Sequence, residues 1–143
     1  MMPGLRPFHL AIPVRDIAST RDFYTGILAC TVGRSSETWI DFDFYGHQLS
    51  AHVKPDENAP VKTNPVDGEN IPVRHFGIVL DFKNWELLKH RLERLAVDFM
   101  IKPCIRFEGE IGEQATLFIM DPSGNVLEFK AFKSDQKLFS AAE

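Results

Sequence analysis

The segment Asp121-Pro122-Ser123-Gly124-Asn125-Val126-Leu127-Glu128-Phe129-Lys130 joins a turn to a strand. Pro122 presets its own φ, and Gly124 or Asn125 can take the positive φ that a tight turn needs. Val126 to Phe132 is β-branched, aromatic and apolar, which is strand composition. Glu128 falls in the middle of that strand. A carboxylate there has to face water, a partner charge or a metal, because burying it alone costs several kcal/mol, on the order of a lost buried ion pair.

Working back from that strand, Arg74 to Leu80 alternates Phe76, Ile78 and Leu80 with His75, Gly77 and Val79. Asp81 stands where a helix cap belongs, and Trp85, Leu88, Leu92 and Leu95 follow as an apolar stripe. Val97–Ile101 and Ala115–Met120 read as strands, separated by an acidic, glycine-bearing loop, Glu108 to Gln114, that the composition suggests is a flap. The first half has the same plan. Phe8 to Val14 alternates Leu10, Ile12 and Val14 with His9, Ala11 and Pro13; Asp16 caps a helix that runs to about Ala29. Strands at 31–34, 39–44 and 48–53 follow, the last two joined by Tyr45-Gly46. His75 matches His9, Gly77 matches Ala11, Gly124 matches Gly46, and Glu128 matches Ser50. The expectation is an α+β fold of two tandem βαβββ modules forming an open half-barrel cleft. Residues 1–143 form one domain: module one at 8–53, a proline-rich surface linker at 54–70, module two at 71–132 and a tail at 133–143.

Parity assigns the faces. Leu127, Phe129 and Ala131 should pack under the second helix, as Leu49, Ala51 and Val53 do under the first. His9, Ser50, His52, His75 and Glu128 then point to the opposite faces, with Ala11 and Gly77 leaving room beside the histidines. His9, His75 and Glu128 make a two-histidine, one-carboxylate set suited to a divalent transition metal with open positions. Thr116 and Phe118 should line the pocket, with Trp39 and Ser50 beside them. Asp41 and Asp43 read as a solvated strand face. Two bland readings stand beside this one: strand histidines often serve as hydrogen-bonded structural residues, and Glu128 could simply pair with Arg15 or Arg74.

Composition narrows the function classes. Apolar residues make up 44% and charged residues 25%, as in an ordinary globular domain. A net charge of −4 with no basic block argues against nucleic acid, and no apolar run is long enough for a membrane span. Met1–Pro7 lacks the apolar core of a signal peptide, and Cys30 and Cys104 are too few for a disulfide framework, so a cytoplasmic protein is expected.

Three pieces, "FHLAIPVRDIASTRDFYTGIL", "VRHFGIVLDF" and "TLFIMDPSGNVLEFKAF", resemble the vicinal oxygen chelate superfamily of glyoxalases, extradiol dioxygenases, fosfomycin-resistance enzymes and bleomycin-binding proteins. The resemblance runs from Phe8 to Phe132. It implies metal ligands at His9, His75 and Glu128 and a small-molecule substrate with adjacent oxygens, and it allows a homodimer. Ser50 stands where glyoxalase I enzymes have a fourth ligand, which argues against that branch unless His52 substitutes. Phe118 stands where extradiol dioxygenases and fosfomycin-resistance enzymes have a tyrosine. His52 is preferred over His47 as acid–base residue, since parity turns His47 under the helix. The expectation leans to an extradiol-type dioxygenase with Fe(II); Mn, Ni or Zn would accompany a glyoxalase-like lyase or a thiol transferase. A metal-free, resistance-type binding protein is the alternative from another class.

Overall fold

The computed structural model describes residues 4–58, 62–66 and 68–141; residues 59–61 and 67 of the expected linker and 142–143 of the expected tail lie outside them. The chain divides into two compact units, one of Met1–Ala59 with Asp121–Asn125 and one of Pro60–Met120 with Val126–Glu143. Both are βαβββ modules, so the fold is the α+β tandem repeat that the sequence implied.

In the first unit, β1 (His9–Val14), β2 (Thr31–Ser35), β3 (Trp39–Phe44) and β4 (His47–Val53) form one sheet in the order β1-β4-β3-β2. β1 runs parallel to β4 and the other pairs are antiparallel. The β3–β4 turn takes positive φ at Tyr45 and Gly46, and Gly46 donates its N–H to Asp43. Asp16 caps α1 (Ile17–Arg21) by accepting from the Ser19 N–H. The helix does not run on unchanged to Ala29. It widens into a π-helical turn over Asp22–Ile27, where the Thr25 hydroxyl donates to the Arg21 carbonyl. That turn buries Phe23 and Tyr24, and the Tyr24 ring lies 5.0 Å from Phe42.

The turn at Asp121–Asn125 belongs with this unit, and its hydrogen bonds explain its sequence. Asp121 Oδ1 accepts from the backbone N–H groups of Ser123 and Asn125, and Oδ2 accepts from the Asn125 amide and the Tyr24 hydroxyl. Ser123 accepts the Arg15 N–H, and the Asn125 side chain donates to the Pro13 carbonyl. Tyr24 of the helical turn and Asp121 of this turn are thus partners in one buried bond. Burial and the neighbouring carboxylate push the Tyr24 phenol well above its usual pKa, so it is a donor at any ordinary pH.

In the second unit, β7 (Phe76–Val79), β8 (Phe99–Arg106), β9 (Gln114–Met120) and β10 (Val126–Phe132) repeat the order as β7-β10-β9-β8. Gly77 pairs with Glu128 just as Ala11 pairs with Ser50. Asp81 caps α2 (Phe82–Arg94) through Asn84. α2 buries Trp85, Leu88 and Leu92, and the Trp85 indole donates to the Phe129 carbonyl; Leu127, Phe129 and Ala131 are buried as well. Leu95, the expected end of the stripe, lies past the helix and is exposed.

Two expectations need correcting. The stretch 54–70 is not a featureless linker: β5 (Lys62–Val66) and β6 (Glu69–Val73) pair as a hairpin with Gly68 at positive φ. Each strand is an edge, so Pro65 and Pro72 are tolerated. Ile71 and Val66 of this hairpin pack on Ile101, Phe118 and Val126. β8 also runs five residues beyond Ile101. Pro103 sits at a register shift in an edge strand, where its missing N–H breaks no ladder. In the tail, Asp135–Lys137 forms one 3-10 turn and Phe139 is exposed. Among the described residues, no helix is long and apolar enough to cross a membrane.

Candidate functional site

Glu128 projects from the centre of β10 on the face away from α2, and it is only 6% exposed. Its two oxygens have different neighbours. Oε2 accepts a 2.5 Å bond from the Thr116 hydroxyl and lies 3.5 Å from the Arg106 guanidinium. Oε1 lies 3.1 Å from His75 Nε2. His75 immediately precedes β7, and its Nδ1 lies 2.5 Å from the Pro72 carbonyl of β6. A carbonyl can only accept, so Nδ1 carries a proton. The neutral ring would then aim an Nε2 lone pair at a carboxylate, which demands a proton or a cation between them.

That geometry fits half of a metal site. Two donors about 2.1 Å from one cation are separated by roughly the distance seen between Nε2 and Oε1. Ligating histidines also commonly donate their second N–H to a backbone carbonyl, as Nδ1 does to Pro72. Among the described residues, no three His, Cys, Asp or Glu side chains converge as one cluster.

Without a cation, the proton makes the link. The bond to Glu128 raises the His75 pKa above 6.5 against the effect of burial, helped by the Pro72 carbonyl. Burial pushes Glu128 upward, but the bonds from His75 and Thr116 together outweigh it and hold the carboxyl below 4.5. The Lys130 charge lowers both groups, opposing the rise at His75 and adding to the fall at Glu128. The signs fix a window. The His75 contribution is complete below pH 6.5 and is lost as pH rises through its folded pKa; that of Glu128 is present above 4.5 and is lost as pH falls through its folded value. Metal-free protein should therefore show a His75 imidazole resonance titrating above 6.5, returning to the ordinary range in Glu128→Gln. A wild-type ring titrating at or below 6.5 would contradict the contact.

The other expected residues are placed as follows. Thr116 is fully buried and engaged with Glu128. Phe118 is also fully buried, its ring edge-on to His75 at 5.1 Å and packed in the cluster under the hairpin. In the first unit, His9 begins β1 and is exposed, opposite Gln48. Ser50 is buried and donates to Asp41 at 2.6 Å. His52 is exposed and pairs across the ladder with Trp39, whose ring carries the Arg34 guanidinium at 5.8 Å. His47 accepts the Phe8 N–H at Nδ1.

Two residues escaped the sequence reading. Arg106 is 7% exposed and is the cation on Glu128, rather than Arg15 or Arg74. The signal for it was a lone arginine closing the otherwise largely apolar run Phe99–Ile105. Asp41, expected on a solvated face, is 8% exposed and satisfied by Ser50 and Gln48; only the β3–β4 register reveals that partnership.

The family model for the glyoxalase/bleomycin resistance protein/dioxygenase superfamily matches residues 6–129. The chain belongs to that superfamily. It is similar to a glyoxalase/bleomycin resistance protein/dioxygenase from Alicyclobacillus acidocaldarius, with 36% identity over 93% of this chain and 96% of that one, at a TM-score of 0.81. Its fold is also that of the fosfomycin resistance protein FosX from Listeria monocytogenes (17% identity, 97% and 100% of the chains, TM-score 0.67). The fold is shared as well with a lactoylglutathione lyase from Agrobacterium tumefaciens (17% identity, 98% and 100% of the chains, TM-score 0.63). No curated protein matches the chain significantly.

Proposed function

We propose that this protein is a metal-dependent enzyme acting on a small substrate with two adjacent oxygens, with His9, His75 and Glu128 holding a divalent transition metal. The observation that carries this reading is the 3.1 Å approach of His75 Nε2 to Glu128 Oε1 with Nδ1 already committed to Pro72. A cation bound there supplies Lewis acidity to the substrate oxygens. The chain's own groups do the rest. Thr116 holds Glu128 Oε2 and so turns Oε1 toward His75. Arg106 offsets the buried carboxylate charge. His52 is the proposed proton carrier, taking a hydroxyl proton from the substrate.

Within that class we favour an extradiol-type dioxygenase with Fe(II), and next a glyoxalase-like lyase or thiol transferase with Mn, Ni or Zn. Oxygen uptake and ring opening of a catechol by iron-loaded protein would support the first. Turnover of a hemithioacetal with nickel or zinc, and none of catechol, would replace it with the second. A metal-free binding protein has one observation in its favour: both Glu128 oxygens already have protein partners. Absence of turnover on either substrate class with any added metal would move the assignment there.

A further inference from the structure

On the Glu128 face of the second sheet, one margin lies under the β5–β6 hairpin and the opposite end opens into a cavity of about 510 Å³. That size falls in the usual range for small-molecule pockets. Lys130 and Phe132 of β10 and Gln114 of β9 contribute from the sheet, Phe107 and Ile111 from the 107–113 loop, and Lys137 from the C-terminal turn. Lys130 is two residues beyond Glu128 on the same face and pairs across the ladder with Thr116. The cavity therefore adjoins the Glu128 site.

Three observations define what would fit. The loop is held in place rather than free: Glu113 accepts the Gly109 N–H at 2.8 Å and pairs with Lys133 at 2.7 Å. That pair neutralises itself, leaving Lys130 and Lys137 against Glu110 as the charges lining the cavity. Gln114 Oε1 is buried without a hydrogen-bond partner, an acceptor facing no donor. Phe107, Ile111 and Phe132 supply apolar walls.

We propose that this cavity binds a small ligand with an apolar body and an anionic group, with Lys130 as the anion contact and Gln114 Oε1 accepting from a ligand hydroxyl. Calling that ligand the substrate rests on the function proposed above; the binding itself does not. An anionic substituent would then be part of what the enzyme selects, beside the adjacent oxygens.

Calorimetric titration of the full chain as purified, with 4-hydroxybenzoate and its neutral analogue 4-hydroxybenzamide, tests this. The anion should bind about tenfold more tightly, the worth of one charge-assisted hydrogen bond. Lys130→Met should erase the preference, while Lys130→Arg and the distant Lys83→Met should keep it. Equal binding of the two probes, no binding of either, or a preference surviving Lys130→Met would overturn the proposal. Repeating the titration on His75→Ala separates the two readings. A preference retained there, whatever that variant's metal content, assigns the anion to the cavity; a preference lost with the histidine assigns it to the metal site and overturns the proposal.

Discussion

Gly77→Ala should destabilise the protein by about 3 kcal/mol or more, beyond the usual range for overpacking, and lower its melting temperature by about 10 °C. The cause is backbone contact. A Cβ on Gly77 would overlap the Glu128 carbonyl oxygen and lie 2.6 Å from its carbon and 3.1 Å from its nitrogen. None of these atoms is a flexible side-chain end, so β7 and β10 would have to part where they pair. Gly77 is expected as space beside His75; the close approach of β10 gives it a stricter reason. Because the displaced residue is Glu128 itself, bound metal should fall along with stability. A thermal melt followed by circular dichroism reads the first effect, and a melting temperature within about 2 °C of wild type would show that the strands can separate cheaply.

The second large effect comes from the buried charge pair. Glu128→Leu removes the anion that faces Arg106, Thr116 and His75 at once. Arg106 is 7% exposed and its Nε already lacks a partner, so its guanidinium would be left in a poorly solvated place. Breaking a buried pair from one side typically costs about 3–5 kcal/mol, and the 3.5 Å separation here places the expected loss near the lower value, about 3 kcal/mol. The double variant Glu128→Leu, Arg106→Met should recover most of that loss, since replacing both charges by apolar groups removes the stranded ion. Urea unfolding of the two variants measures the difference. A single variant within about 0.5 kcal/mol of wild type would mean that Arg106 reaches water when its partner is gone.

These two cases show what the sequence could and could not reveal. The repeat was legible because each device is local. Asp16 and Asp81 cap their helices by accepting an N–H three residues ahead, Gly46 and Gly124 hold positive-φ turns, and the strands alternate with period two. His75 and Glu128 were legible as a pair because parity and the repeat together fix their face. What stayed hidden depends on register or on strand position. The expected strand stops at Ile101, whereas β8 runs on through Pro103, which is tolerated because the sheet order makes β8 an edge. Arg106 was hidden with it. The β5–β6 hairpin was masked by polar residues and two prolines, although Asp67-Gly68 between two valine-ended runs is a hairpin signal. Asp41 looked solvated because Ser50, its partner directly opposite on the neighbouring strand, cannot be seen without the register.

The hairpin also changes how the site should be understood. Pro72 fixes the tautomer of His75, and Ile71 covers the apolar end of the same face. A hairpin whose first strand and turn read as a surface connection thereby orients a proposed ligand through its second strand.

Metal content is the measurement that bears most directly on the proposed site. Elemental analysis of protein purified without chelators should find about one divalent transition metal per chain, as a site of three protein ligands with open positions holds one ion. Both His75→Ala and the double variant His9→Ala, Glu128→Ala should lose it, and added iron, manganese, nickel or zinc should not restore it. Full occupancy in His75→Ala, or no metal in wild type even after each ion is added back, would contradict the assignment of His75 and Glu128 as metal ligands.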